Sequence, residues 1–178
     1  MIEIIVADIT TLSIDAIVNA ANSALAGGGG VDGAIHRRAG PELVKAAMAL
    51  GPCPPGDAVL TAGFGLPARF VIHAVGPVWW GGDRGEAAVL AQTYERAFAV
   101  ARTENTIRSI AFPAISTGAY GFPKQPAGAI AMEAMLRHQP EFDRIIACAF
   151  DEESARYYRE ALRAGSVPAA RSGTPNER

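Results

Sequence analysis

Apolar residues recur along this chain in two rhythms, and the alternation between them predicts a layered α/β fold. Short runs rich in β-branched residues, at 2–6, 16–18, 58–61, 70–75, 109–115 and 144–150, have the length of strands. Between them, helix-compatible segments lie at 33–39, 41–50, 86–102, 126–138 and 152–164. In the third of these, Leu90, Tyr94, Ala97, Phe98 and Ala101 share a face; in the second, Leu43, Ala46, Ala47 and Leu50 follow a Pro41 that a first turn tolerates. The run Gly51-Pro52-Cys53-Pro54-Pro55-Gly56 stops that helix, and the turn at 63–67 makes its flanking strands neighbours. Strands alternating with helices imply a largely parallel sheet, whose ligands sit outside the carboxyl ends of the strands.

Two stretches break the rhythm. The strand Ala16-Ile17-Val18 is left through two carboxamides, Asn19 and Asn22, and runs into four consecutive glycines, Gly27 to Gly30, before Asp32 opens the next helix as an N-cap or first-turn residue. Each glycine held in one conformation costs roughly 0.5–1 kcal/mol relative to alanine, so four together point to something approaching the backbone closely. A strand, a glycine loop and a helix N-terminus make an anion site. The loop lacks the Gly-Lys-Ser/Thr ending of a P-loop, and any glycine run would satisfy the Rossmann spacing. The second stretch, Ser116-Thr117-Gly118-Ala119-Tyr120-Gly121, also leaves a strand end. Two backbone cradles can grip two linked phosphates without Arg or Lys, which predicts a diphosphate ligand.

Other candidates flank these loops. A buried-looking Asp8 ends the first strand, where it either caps a turn or accepts a base's exocyclic amine. Phe150 ends another strand and offers an aromatic face to a purine, while Asn22 and Asp32 suit the hydroxyls of a sugar. His36 follows Asp32 by one helical turn, which permits an Asp–His pair. Trp79 and Trp80 either anchor their loop on the core or stack on a ligand.

Length and composition narrow the classes. With 178 residues, 49% hydrophobic and 19% charged, the chain suits one domain over 1–164, with an aperiodic tail at 165–178 expected to be disordered. A net charge of −2 from interspersed acids and bases argues against nucleic acid and against a membrane surface. Two cysteines, Cys53 and Cys148, fit a reducing compartment, and no leader or membrane span is evident, so a cytoplasmic protein is expected. No Cys/His cluster has ligand spacing, so neither metal nor cofactor is expected. A monomer is expected.

The motifs Asp8-Ile9-Thr10, Val18-Asn19-Ala20-Ala21-Asn22, Gly27 to His36, His73-Ala74-Val75-Gly76-Pro77 and Pro113 to Gly121 together make a chain that resembles the macrodomain family, in particular its MacroD-type branch of ADP-ribose hydrolases, over about residues 2–164. The resemblance implies a three-layer α/β/α domain with a mixed, largely parallel central sheet that binds ADP-ribose. It implies that Asp8 accepts from the adenine amine, that the Ile9 backbone contacts the ring and that Phe150 lies beside it. It further implies that the Gly30-Val31 backbone and Ser116, Thr117, Gly118, Ala119 and Tyr120 hold the diphosphate, and that Asn22 and Asp32 face the distal ribose. Ala7 stands where the family usually has glycine, and the segment between Leu50 and Cys53 is shorter than in close relatives.

The implied chemistry is ester cleavage: release of ADP-ribose from Asp- and Glu-modified (ADP-ribosylated) proteins, and deacetylation of O-acetyl-ADP-ribose. Asp32 would orient or deprotonate the water and Asn22 would hold the ribose. The same pocket would serve a non-catalytic ADP-ribose reader, but a reader has no need of an acid beside the distal ribose.

Overall fold

The computed structural model describes residues 1–166; the expected disordered tail lies, from residue 167 on, outside the described residues. Strands β1 (Ile2–Val6), β2 (Ala16–Ala21), β3 (Ala58–Ala62), β4 (Phe70–Val75), β5 (Ser109–Phe112) and β6 (Arg144–Ala149) form one sheet in the order β1-β6-β5-β2-β4-β3. All neighbours are parallel except β3 with β4, which are joined by the turn the sequence predicts. Helices α1 (Gly30–Ala39) and α2 (Pro41–Met48) cover one face; α3 (Glu86–Thr103), α4 (Lys124–His138) and α5 (Glu152–Gly165) cover the other. The fold is therefore the expected three-layer α/β/α arrangement on a mixed sheet.

Side-chain alternation along the strands divides the core in two. Ile17, Val71, Ala111 and Ile146 pack with Ile35, Ala39 and Leu43 of α1 and α2. Val18, Ile72, Ile110, Phe112 and Ile145 pack with Leu90, Tyr94, Phe98, Met132 and Tyr158 from the other layer. Ile35 is fully buried, which stabilises the seating of α1 on the sheet by roughly 1.5–3 kcal/mol and so fixes the helix that carries Asp32.

The topology places the ligand edge. From β2 the chain goes to one side, through β3 and β4, and then returns to the other side as β5 and β6. The strand order therefore switches between β2 and β5, which pair at only two register positions, Ala16 with Ile110 and Ile17 with Ala111. Crevices at such switch points are where open α/β sheets bind ligands, and both glycine loops leave from this one.

Several boundaries differ from expectation, each for a local reason. β2 continues through Asn19 to Ala21 because its partner β4 stays in register to Val75. β5 ends at Phe112 rather than Ile115, since Pro113 has no N–H to continue a ladder. Helix α1 begins at Gly30, three residues before the expected start, with Gly29 as its N-cap. Helix α2 stops at Met48, short of Leu50. At α5, Asp151 is the N-cap and accepts from the Ser154 amide at 2.8 Å.

Candidate functional site

Because β1, β6, β5, β2 and β4 are parallel, their carboxyl ends line one edge of the sheet. In spatial order this edge carries Asp8, Phe150, the loop 113–121, the loop 22–29 and the tryptophan loop 76–85. From β1 to β2 is three strand spacings, about 14 Å at ~4.8 Å each, so the edge suits an extended ligand.

At the β1 end, Asp8 is exposed rather than buried. Its Oδ1 caps the short 3-10 turn Ile9–Thr11, accepting from the Thr10 amide at 2.9 Å and the Thr10 hydroxyl at 2.7 Å. Those two bonds hold the carboxyl below its ordinary range, and no hydrogen bond among the described residues uses Oδ2. Turn capping and ligand contact are thus compatible, one oxygen for each. Next to it, Phe150 is 92% exposed, an aromatic face left entirely to solvent at a strand end. Ala7 keeps the strand end paired, with its amide donating to the Ala149 carbonyl at 3.2 Å.

The loop after β5 is folded on itself. Its internal bonds run from Thr117 to Ala114, Gly121 to Gly118 and Phe122 to Ser116. Among the described residues nothing accepts from the amides of Gly118, Ala119 and Tyr120, so three successive N–H groups remain for an anion. Ser116 adopts φ 67 and is buried against Gly76, where a Cβ would come within 2.2 Å of its hydroxyl. Across the crevice, the first turn of α1 leaves the amides of Gly30, Val31 and Asp32 without helical acceptors. Gly33 closes the turn: a Cβ there would lie 2.4 Å from the Gly28 carbonyl.

Asp32 does not cap its helix. It sits in the first turn, 6% exposed, with its side chain turned toward the sheet. Oδ1 accepts from Asn19 Nδ2 at 2.8 Å and lies 3.2 Å from His36 Nε2. Oδ2 faces Gly28, where a Cβ would lie 3.2 Å from it and 3.6 Å from Asn22 Nδ2. Asn22 also braces the glycine loop, donating to the Gly27 carbonyl at 2.8 Å.

Three residues that the sequence reading left out of the site belong to its foundations. Asn19 and His73 are cross-strand partners, both fully buried, with Asn19 Nδ2 3.1 Å from His73 Nδ1; His73 Nε2 is 2.9 Å from Thr61 Oγ1. Burial, assisted by the charge of His36, pushes the His73 pKa down to about 4. The available signal was one polar residue inside each of two apolar strands, AIVNAA and FVIHAV.

The two tryptophans are placed differently, and Trp79 takes the anchoring role. Trp79 packs on Phe122, with ring centroids 4.7 Å apart, and its amide donates to the Tyr120 carbonyl at 2.8 Å, tying this loop to the anion cradle. Trp80 is 63% exposed beneath the Arg84 guanidinium. Glu86, only 3% exposed, organises the loop by accepting from the amides of Trp80, Gly82 and Arg84 at 3.0, 2.7 and 2.6 Å.

Residues 18–131 match the Macro domain family. The chain is a macrodomain. It is 56% identical over 156 residues to a macro domain-containing protein of Ralstonia nicotianae, covering 88% of this chain and 91% of that one. It is 54% identical over 167 residues to the O-acetyl-ADP-ribose deacetylase of Klebsiella pneumoniae, covering 90% and 95%. Among solved structures, the Oceanobacillus iheyensis macrodomain with ADP superposes with a TM-score of 0.86 at 41% identity, covering 92% of this chain and 90% of that one. The Trypanosoma brucei macrodomain in complex with ADP-ribose gives a TM-score of 0.81 at 40% identity, covering 90% and 68%. No helix among the described residues of this macrodomain is long and apolar enough to cross a membrane.

Proposed function

We propose that this macrodomain binds ADP-ribose along the carboxyl edge of its sheet and hydrolyses esters on the distal ribose, both in O-acetyl-ADP-ribose and in ADP-ribosylated Asp and Glu side chains. The observation that carries the reading is Asp32: a carboxylate held by Oδ1, with Oδ2 turned to the side of Gly28 that Asn22 Nδ2 also faces, next to free helix N-terminal amides. The relatives solved with ADP or ADP-ribose support the ligand, and those named as O-acetyl-ADP-ribose deacetylases support the first of these reactions.

Adenine lies between Asp8 Oδ2 and the Phe150 ring. The diphosphate takes the amides of Gly30 and Val31 on one side and those of Gly118, Ala119 and Tyr120 on the other. The distal ribose then reaches Asn22 and Asp32. Water attacks the acyl carbon and passes a proton toward Asp32; the ribose oxygen leaves, takes a proton, and the products are ADP-ribose and a carboxylic acid. Orientation of the water by Asp32 matters at least as much as its proton acceptance.

The deciding experiment offers purified protein O-acetyl-ADP-ribose and an Asp/Glu-modified protein in separate reactions and follows free ADP-ribose. Release above the uncatalysed rate is expected from both. Tight ADP-ribose binding with no release from either would make the domain a reader.

A further inference from the structure

We propose that His73 is a positioning residue for this reaction: with its proton held on Nε2 by Thr61, it fixes which way the Asn19 amide faces and thereby aims Asp32. The inference rests on the ester-hydrolase reading and adds to it two residues, His73 and Thr61, that lie beneath the site and out of reach of any substrate.

The donors and acceptors form a one-way chain. It crosses three adjacent strands from β3 to β4 to β2 and ends on α1. The Thr61 hydroxyl has the Ala62 carbonyl at 3.1 Å for its own hydrogen, so its oxygen is left to accept from His73 Nε2 at 2.9 Å. His73 Nδ1 then has no hydrogen and accepts from Asn19 Nδ2 at 3.1 Å. The second hydrogen of that amide nitrogen goes to Asp32 Oδ1 at 2.8 Å. A neutral imidazole offers one donor and one acceptor, and burial keeps this ring neutral.

The decisive detail is the other end of the Asn19 amide. Its Oδ1 is buried and has no hydrogen-bond partner among the described residues. Nothing on the oxygen side resists a turn of the amide, so its orientation depends on what the nitrogen meets. With the His73 proton on Nδ1 instead, two N–H groups would face each other. Turning the amide would relieve that contact, but it would set a carbonyl oxygen where the nitrogen now stands, 2.8 Å from Asp32 Oδ1. Two acceptors at that distance repel, and Asp32 would leave the position in which Oδ2 faces Gly28.

Thr61→Val tests this, because valine keeps the shape and removes the hydroxyl that holds the proton on Nε2. Imidazole 15N spectra should show a single Nε2–H tautomer for His73 in the wild type and loss of that single state in Thr61→Val. Single-turnover ester cleavage should fall about 10- to 100-fold, the size expected when a reacting group is misplaced by around 1 Å, while ADP-ribose affinity is unchanged. Thr61→Ser should restore both tautomer and turnover. A Thr61→Val protein with wild-type turnover, or one that loses affinity and turnover together, overturns the proposal. If the wild type releases nothing from either ester, the hydrolase reading fails by itself, and the tautomer measurement alone decides whether Thr61 sets His73.

Discussion

Asn19 and Asp32 meet in a single 2.8 Å hydrogen bond from amide nitrogen to carboxylate oxygen, a contact between the second strand and the first helix that commits one oxygen of the acid before any substrate arrives. Asn19→Ala would leave His73 Nδ1 without a partner in a fully buried site. Thermal or denaturant unfolding should then report a loss of about 1–3 kcal/mol, the cost of an unsatisfied buried polar group. Asp32 would keep only His36, so turnover should drop as well. A variant as stable and as active as wild type would mean that the amide contributes nothing to either.

The turn cap that Asp8 makes dictates which substitution tests its proposed contact with adenine. Asp8→Ala removes the turn cap together with the free oxygen, whereas Asp8→Asn keeps an Oδ1 for Thr10 and replaces only the outward oxygen with a donor. A charge-assisted bond to the adenine amine is worth about 1.5–3 kcal/mol, so titration calorimetry should show ADP-ribose binding weakened about 10- to 150-fold in Asp8→Asn with little change in melting temperature. Unchanged affinity would remove Asp8 from the ligand site.

Gly118 is the cleanest position at which to block the second cradle. A Cβ there meets no protein atom within 4 Å, whereas Gly30 sits at φ +57 and any side chain there strains the backbone. Gly118→Glu should therefore leave circular dichroism and melting unchanged while abolishing ADP-ribose binding, by bulk and like charge at the diphosphate. Retained binding would refute the two-cradle arrangement.

Glu86 gives the tryptophan loop a dependence on pH. Burial pushes its carboxyl up, but the amides of Trp80, Gly82, Glu86 and Arg84 outweigh that and leave it lowered from 4.5. A carboxyl with a folded pKa below its unfolded value stabilises the fold fully above the unfolded value. That contribution declines as pH falls toward the folded value and is lost below it. Acidification past the folded value, which lies below 4.5, should thus release the loop, seen as a change in tryptophan emission, and Glu86→Gln should show the released spectrum at neutral pH. An emission spectrum that ignores both changes would separate Glu86 from the loop.

How much of this was legible in the sequence follows from the kind of signal each feature leaves. Strand and helix cores declared themselves by periodicity, and the alternation of elements pointed to the carboxyl strand ends; the switch point between β2 and β5 emerges only from the strand order. The start of α1 did not, because glycines at 29 and 30 carry no helical preference while their backbone supplies the cap. Asp32 announced a helix N-terminus but not its own orientation, which depends on Asn19 lying opposite on β2. His73 reads as an ordinary core residue until the register places it beside Asn19 and, diagonally, Thr61. Such polar pairings exist only across strands, and no local pattern encodes them.

The last prediction separates hydrolase from reader. If Asp32 orients or deprotonates the water, Asp32→Ala should lose on the order of 10²–10⁴-fold in turnover, the usual contribution of a positioned acid–base group. Binding should fall much less, since in the proposed arrangement backbone amides hold the diphosphate. Asn22→Ala frees the Gly27 carbonyl and with it the glycine loop, and it removes an amide that faces the same side of Gly28 as Asp32 Oδ2. A displacement of about 1 Å in the ester would cost about 10²-fold. If the two side chains act on the same water and the same ribose, the double variant should lose far less than the product of the single losses. Single-turnover release measured for wild type, both single variants and the double variant at saturating enzyme gives the coupling directly. Losses that multiply would mean that Asn22 and Asp32 act independently, with Asn22 serving only to hold the loop.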